Sequence, residues 1–118
     1  MPHSRVPLVI VPLAIPDVVV LKPTRIQDDR GWFLESLSLR EVKDLGFDAV
    51  VQENESCSVY LGTVRGLHYQ RAPFAQAKIV RCLQGALLDV AVDIRPGSPT
   101  FGRHVVTRLD AFMNEQVL

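Results

Sequence analysis

The apolar positions of the chain fall into many short runs, and glycine or proline separates most of them. Residues 17–21 (DVVVL) form a β-branched run, and residues 32–38 (WFLESLS) follow turn-forming residues 28–31 (DDRG). Further short runs occupy the second half of the chain, at residues 47–53, 57–61, 64–70, 77–82, 86–93 and 103–109. Short strands at this spacing predict an antiparallel sandwich or barrel.

The run at residues 86–93 shows the cleanest alternation. On a strand its side chains would divide between two faces: Leu88, Val90 and Val92 on one, and Leu87, Asp89, Ala91 and Asp93 on the other. We expect one face to belong to the core. The second, partly polar face would line a cavity or meet solvent.

One short helix is predicted after Ser38. Ser38 and Glu41 fit the capping-box pattern, and Gly46 would end the helix about two turns later; the alternative is a coincidental loop.

Residues 1–15 are expected to form a loose lead-in before a single domain at 16–118. Residues 116–118 resemble the start of a strand, and a closed jelly roll needs about eight strands. Either another chain completes the sheet, or this chain is shortened.

Composition points to an ordinary globular protein. The 118 residues suffice for one domain, and thirteen basic residues balance thirteen acidic ones, so no overall charge favours nucleic acid or a membrane surface. No apolar run is long enough to span a bilayer, and prolines interrupt the apolar amino end, which disfavours a secretory signal. The two cysteines form no CxxC pair. A reduced cytoplasmic protein is the simplest interpretation.

Metal and phosphate-loop motifs are absent from the sequence. His3, His68 and His104 are far apart and form no His-x-His pair, and no GxGxxG, GxxxxGK or GxSxG occurs. We therefore expect no bound metal and no cofactor.

His68 and Lys78 are the candidates for proton-transfer chemistry. Imidazole is well suited to accept and return a proton near neutral pH. Lys78 would share a strand face with Val80 and Cys82, where a lysine is costly unless it is paired or functional. The alternatives are a structural histidine and an edge-strand lysine in solvent.

Two further pairs are candidates for binding. Gln52 and Asn54 lie two residues apart and would share a strand face suited to hydroxyls or a base edge. Arg30 follows a turn and matches phosphate oxygens, and Glu35 lies in the next predicted strand. In each case the alternative is an exposed surface residue.

Several segments in one order resemble the dTDP-4-dehydrorhamnose 3,5-epimerase family, which has a cupin-like jelly roll. The resemblance runs from about residue 16 to the end of the chain. Its segments are residues 28–35 (DDRGWFLE), 51–54 (VQEN), 65–70 (RGLHYQ), 76–81 (QAKIVR), Gly85, 89–95 (DVAVDIR) and 97–102 (GSPTFG).

The resemblance implies an all-β, cupin-like jelly roll that is incomplete at the carboxyl end. It also implies epimerisation of carbons 3 and 5 of a dTDP-4-dehydro-6-deoxy sugar, a step toward L-rhamnose for surface polysaccharide. By position, His68 would be the base and Lys78 would stabilise the enolate. Arg65, Gln52 and Asn54 would contact the substrate, and Arg30 and Glu35 would hold the nucleotide. A homodimer that exchanges residues 17–38 is also implied.

The chain departs from the family pattern in the residues that would complete the reaction. In the family a tyrosine is the opposing acid and an aspartate orients the histidine, and both belong to a part of the fold beyond Leu118. Neither Tyr60 nor Tyr69 matches that tyrosine, and Glu55 stands where a histidine is common. Arg65 and His68 would face opposite sides of a regular strand, so a bulge at Gly66 is expected. The alternatives are a single-carbon epimerase or ketoisomerase, and a non-catalytic remnant that binds nucleotide sugar or only dimerises.

Overall fold

The computed structural model describes residues 7–118, which are mostly strands and loops. In chain order, the strands are β1 (Val9–Pro12), β2 (Val19–Lys22), β3 (Ile26–Asp28), β4 (Gly31–Phe33), β5 (Val80–Arg81), β6 (Ala86–Val92), β7 (His104–Asp110) and β8 (Gln116–Val117). One α-helical turn, α1 (Leu39–Val42), runs into a 3-10 turn at Lys43–Leu45.

The largest sheet has the antiparallel order β1-β2-β8-β5. Its strand β2 is buried on both faces: Val20 packs with Cys82, Leu109 and Val117, whereas Val19 and Leu21 pack with Val42. Burial on both sides explains why residues 17–21 form a continuous apolar run rather than an alternating one. The strand predicted there is confirmed, two residues later than its predicted start.

The loose lead-in predicted for residues 1–15 is wrong where the structure describes it. Val9–Pro12 form β1, which pairs with β2 from Val9↔Lys22 to Pro12↔Val19. Pro12 does not prevent this pairing, because it ends a strand at the edge of the sheet, where a missing backbone N–H is tolerated. His3 lies outside the described residues.

Two further hairpins form no strand pairing with this sheet among residues 7–118. Strands β3 and β4 are joined by a two-residue turn at Asp29 and Arg30, with Asp28 paired to Gly31. The turn predicted at residues 28–31 is confirmed, but the following strand ends at Phe33 instead of residue 38. Strands β6 and β7 pair over seven residues each and confirm the strands predicted at 86–93 and 103–109.

The predicted helix is present but short. Ser38 occupies the N-cap position without a side-chain capping hydrogen bond, so the capping-box bond expected from its hydroxyl is wrong. Gly46 ends the helical segment with φ +86°, a left-handed conformation that glycine adopts without steric cost.

The strands predicted at residues 47–53, 57–61 and 64–70 are wrong, and residues 77–82 contribute only Val80–Arg81. A strand requires a neighbour for its backbone hydrogen bonds. Within residues 7–118 no neighbouring strand pairs with residues 47–79. The β-forming composition of these stretches is therefore not realised as a ladder.

The core face of β6 is the partly polar one. Leu88 is 67% exposed, and Val90 and Val92 are also exposed, whereas Asp93 on the opposite face is buried. The inward face is set by β7, whose Val105 and Leu109 pack inward opposite Ala91 and Leu87. An alternating pattern identifies two faces, but the neighbouring layer decides which of them is covered.

Candidate functional site

All seven predicted site residues are exposed in the structure: Arg30, Glu35, Gln52, Asn54, Arg65, His68 and Lys78. Five of them lie in the long segment 48–78, which is exposed throughout and has no regular strand. Arg30 and Glu35 lie instead on and just after the β3–β4 hairpin. The candidate site is therefore built mainly on a loop, where side chains are accessible to a ligand.

Arg30 is held by the carboxylate of Asp28. Its backbone N–H donates to Asp28 Oδ1 at 2.9 Å, and its guanidinium donates to Asp28 Oδ2 at 2.6 Å. The Arg30 side chain lowers the pKa of Asp28 below its usual value, and the pKa of Arg30 is raised in return. Arg30 thus carries a fixed orientation at the hairpin tip, and a phosphate would have to share the guanidinium with Asp28.

Gln52 and Asn54 contact each other, although the strand whose face they were predicted to share is wrong. Gln52 Nε2 donates to Asn54 Oδ1 at 3.2 Å. Because two amides hold more donors and acceptors than this bond uses, the pair retains groups for a ligand hydroxyl or base edge. No hydrogen bond or ion pair joins any other two of the seven residues in the described part of the chain.

Arg65 and His68 stand on either side of an irregular backbone at Gly66. Arg65 donates to Ser58 Oγ at 3.2 Å and to the Cys57 carbonyl at 3.1 Å, which ties two parts of the loop together. Gly66 has φ +99°, and a Cβ added there would lie 3.2 Å from His68 Nδ1. The bulge predicted at Gly66 is wrong, because residues 64–70 form no strand and no paired ladder surrounds Gly66.

The His68 imidazole and the Lys78 ammonium make no hydrogen bond or ion pair among residues 7–118. Lys78 lies two residues before β5 and is exposed, whereas Val80 is half-buried and Cys82 is buried. Both groups are therefore open to solvent and to a ligand.

A buried carboxylate network surrounds Asp93, whose side chain is 1% exposed, and it was not predicted from the sequence. Asp93 accepts hydrogen bonds from the guanidinium of Arg95 at 2.9 and 3.0 Å and from the hydroxyls of Ser98 and Thr100 at 2.6 Å each. These bonds, with that of Arg95 first, hold the pKa of Asp93 well below its usual range. An Asp followed within seven residues by Arg, Ser and Thr is the sequence signal that could have revealed it.

Arg95 extends this network to the amino-terminal half of the chain. Its Nη1 donates to Asp17 Oδ2 at 2.6 Å, just before β2. A shallow depression beside this network is lined by Val18, Val92 and Ile94, among others. None of the seven predicted site residues lines this depression, and among residues 7–118 none of them forms a hydrogen bond with the network.

Asp89, on the inward face of β6, is half-buried, and burial raises the pKa of its carboxyl.

Across residues 7–118, no three His, Cys, Asp or Glu side chains are grouped so as to hold a metal ion. None of the helices in this described region is long and apolar enough to cross a membrane. Cys57 and Cys82 are both free thiols.

Comparison with known protein families gives one match over most of the chain. The family model described as dTDP-4-dehydrorhamnose 3,5-epimerase matches residues 12–118. A dTDP-4-dehydrorhamnose 3,5-epimerase from Sinorhizobium fredii is 50% identical over 101 residues, which is 82% of this chain and 50% of that protein. The chain thus spans about half the length of this curated relative.

Solved structures give the same picture. A dTDP-4-dehydrorhamnose 3,5-epimerase from Bacillus anthracis with TDP and PPi bound has a TM-score of 0.88 and 39% identity, over 95% of this chain and 65% of that chain. A 3'-monoepimerase from Streptomyces bikiniensis in complex with dTDP-quinovose has a TM-score of 0.81 and 38% identity, over 91% of this chain and 55% of that chain. The predicted all-β, cupin-like jelly roll is confirmed by these similarities.

Proposed function

This chain belongs to the dTDP-4-dehydrorhamnose 3,5-epimerase family, and we propose that the protein acts on dTDP-4-dehydro-6-deoxyglucose. The product would be dTDP-4-dehydro-L-rhamnose, formed by inversion of carbons 3 and 5 in dTDP-L-rhamnose biosynthesis. The observation that carries the proposal is the match over residues 12–118, which includes both candidate proton-transfer residues.

The proposed base is His68. The carbons on either side of the ketone carry protons that become acidic when negative charge can move to the ketone oxygen. An imidazole with no competing hydrogen bond among residues 7–118 can take such a proton. The His68 ring lies close to Gly66, so a Cβ at residue 66 would make a tight contact of 3.2 Å with Nδ1 of the ring.

Lys78 is the proposed stabiliser of the enolate oxygen. Its ammonium makes no ion pair among the described residues, so its charge is available for a developing oxyanion. Stabilisation of such an oxyanion is often the largest single contribution to catalysis of this kind.

The remaining residues divide between sugar and nucleotide. The Gln52–Asn54 amide pair and Arg65 are proposed to contact the sugar diphosphate, and Arg30 and Glu35 to hold the nucleotide end. The Arg30 guanidinium is already oriented by Asp28, which supports a role in binding an anion with little further ordering.

Inversion requires that the proton returns from the face opposite the base, so a second acid is necessary. None of the seven assigned residues is proposed for that role, and neither is Tyr60 or Tyr69. We therefore propose proton removal by His68 as the step to which the seven assigned residues contribute.

We also propose a cytoplasmic homodimer. Ile26, Trp32 and Phe33 on the β3–β4 hairpin are 54, 50 and 70% exposed, and apolar exposure on an isolated hairpin supports its cover by a second copy. Within the segment 17–38, strand β2 pairs inside its own chain, so the hairpin is the part available for exchange. The two free thiols support a reducing compartment.

Solvent deuterium exchange tests the catalytic assignment. The chain is incubated with dTDP-4-dehydro-6-deoxyglucose in D2O, and incorporation at carbons 3 and 5 is followed by NMR. His68→Asn should abolish incorporation, and Lys78→Gln should slow it by about 10²–10³-fold. His104→Asn and Lys43→Gln, which alter exposed residues outside the proposed site, are the matched controls and should leave the rate unchanged.

The pattern of incorporation separates the alternatives. Deuterium at both carbons supports the double epimerase, and deuterium at one carbon supports a single-carbon epimerase, the activity of the 3'-monoepimerase to which the chain is also similar. Substrate binding without any incorporation indicates a non-catalytic protein. Exchange that persists in His68→Asn removes this residue from the mechanism.

A further inference from the structure

The β3–β4 hairpin is a small element that depends on other parts of the chain for its position. Each strand has three residues, and neither strand pairs with any other strand in residues 7–118. A two-stranded hairpin of this size is at best marginally stable in water. It nevertheless carries Arg30 at its tip, and Glu35 follows two residues after it.

Arg25, the residue before β3, joins this hairpin to a distant turn. Its Nε donates to Asn114 Oδ1 at 2.6 Å, and its Nη2 donates to the Phe112 carbonyl. The guanidinium also lies 4.6 Å from the ring centroid of Trp32 and 5.5 Å from that of Phe112. Since Trp32 lies in β4, the Arg25 side chain connects the hairpin to the turn between β7 and β8.

The position of Arg25 relative to Trp32 follows from the hairpin register. Gln27 pairs with Trp32, and Arg25 lies two residues before Gln27 on the same face. Diagonal neighbours on one face of an antiparallel pair are within reach of long and aromatic side chains. The cation–π contact therefore forms when this register forms.

The turn that receives Arg25 is well fixed. Asp110 Oδ1 accepts the backbone N–H groups of Phe112 at 3.0 Å and of Met113 at 2.8 Å. Asn114 adopts φ +58°, a conformation that asparagine tolerates, and this turn leads directly into the buried strand β8. Lys22, at the end of β2, adds an ion pair to Glu115 at 3.6 Å.

The hairpin tip is far enough from Arg25 that a small change in the orientation of the hairpin would displace Arg30. Arg30 lies five positions after Arg25, which corresponds to roughly 17 Å of extended chain. A rotation of about 10° at the base would move the tip by about 3 Å at that reach. Such a displacement is enough to break a hydrogen bond to a phosphate oxygen.

We propose that Arg25 is a positioning residue for nucleotide binding. Its contacts with Asn114, Phe112 and Trp32 hold the β3–β4 hairpin at the angle that presents Arg30 and Glu35. This inference rests on the proposed function, because it takes Arg30 and Glu35 as the residues that hold the nucleotide. It adds a residue that lies outside the segments carrying the family resemblance, and whose contact with Asn114 spans 89 positions of sequence.

The test measures dTDP binding by calorimetry, well below the unfolding temperature, together with tryptophan fluorescence. Trp32 is the single tryptophan of the sequence, so its emission reports directly on the Arg25 contact. Arg25→Ala should raise the Kd for dTDP about tenfold and change the Trp32 emission. Arg25→Lys should recover part of both, because it keeps a cation near the rings but loses the forked hydrogen bonds.

Two further variants separate positioning from folding. Asn114→Gly removes the Oδ1 atom that accepts the Arg25 hydrogen bond but allows the same positive φ. It should also raise the Kd for dTDP. Arg40→Ala, at an exposed arginine on α1, is the matched control and should change neither the Kd nor the emission.

The possible failures are distinguishable. If the unaltered chain does not bind dTDP, the proposed nucleotide site is wrong, and the role of Arg25 falls with it. If the unaltered chain binds dTDP and both Arg25→Ala and Asn114→Gly bind it equally well, the positioning role alone is overturned.

Discussion

At the scale of single residues, charged side chains are arranged in two different ways. Arg30, Arg65 and Lys78 are exposed and available to a ligand, whereas Asp93 is buried and saturated with donors. A buried carboxylate is tolerated only when hydrogen bonds and opposite charge replace its lost water. The exposed residues therefore suit binding, and Asp93 suits stabilisation of the turn from residue 93 to residue 103.

The Asp93 network predicts a specific loss of stability in acid. The folded-state pKa of Asp93 is lowered, chiefly by the Arg95 hydrogen bond, so its stabilisation is complete above the unfolded-state pKa of about 4 and is lost as the pH falls below it. Asp93→Asn should lower the unfolding temperature at pH 7 and flatten its decline between pH 5 and pH 2, which is measured by thermal unfolding across that range. Asp44→Asn, at an exposed aspartate, is the control.

Some acid dependence should remain in Asp93→Asn, because the pKa values of Asp28 and Asp110 are also lowered, by Arg30 and by the Met113 N–H respectively. An Asp93→Asn variant with an unchanged unfolding temperature and an unchanged acid profile would contradict the structural role of the network.

At the scale of elements, the two long strands β6 and β7 form a hairpin with one covered face. Leu109 is fully buried on that face among Val20, Cys82 and Val117, whereas Leu88 lies on the opposite, exposed face. Packing of the inward face thus joins the hairpin to the β1-β2-β8-β5 sheet. The apolar outward face is exposed, so it contributes little to the stability of a single chain.

Leucine truncation in this hairpin measures the difference between its faces. Leu109→Ala should lower the free energy of unfolding by about 2–5 kcal/mol, because it opens a cavity in the packed core. Leu88→Ala should cost less than about 1 kcal/mol. Urea unfolding of both variants provides the comparison. Equal losses would show that the face of Leu88 is covered in solution.

At the scale of the whole molecule, apolar exposure is concentrated where the chain lacks strand neighbours. Val51, Val59 and Val64 in the segment 48–78 are more than four-fifths exposed, in addition to the β3–β4 hairpin. Surface of this kind is typical of regions that are covered by further structure or by a partner. This supports the proposed homodimer, and the same segment holds five of the seven proposed site residues.

The proposed dimer is tested by sedimentation velocity over a concentration series. The chain should sediment with twice its monomer mass, and Phe33→Ser should shift it toward the monomer, because Phe33 is 70% exposed on the hairpin. Phe101→Ser is the matched control: Phe101 is 60% exposed but lies in the turn between β6 and β7. A monomer at every concentration, or an equal effect of the two substitutions, would refute association through the hairpin.

The sequence by itself determined the features that depend on nearby residues. Local chemistry or period explains the turn at residues 28–31, the strands β2, β6 and β7 and the glycine at the helix end. The order of its motifs also identified the family. These properties are readable because each is decided within about ten positions of the chain.

Only the tertiary structure decided which faces are covered and which distant residues meet. The lack of a ladder at residues 47–79, the exposed face of Leu88 and the contact of Arg25 with Asn114 all depend on the path of the whole chain. A strand needs a neighbour and a buried face needs a second layer, and composition specifies neither. His68 and Lys78 were identifiable as candidates from the local sequence. Their exposure depends on how the rest of the chain packs, so only the folded chain shows it.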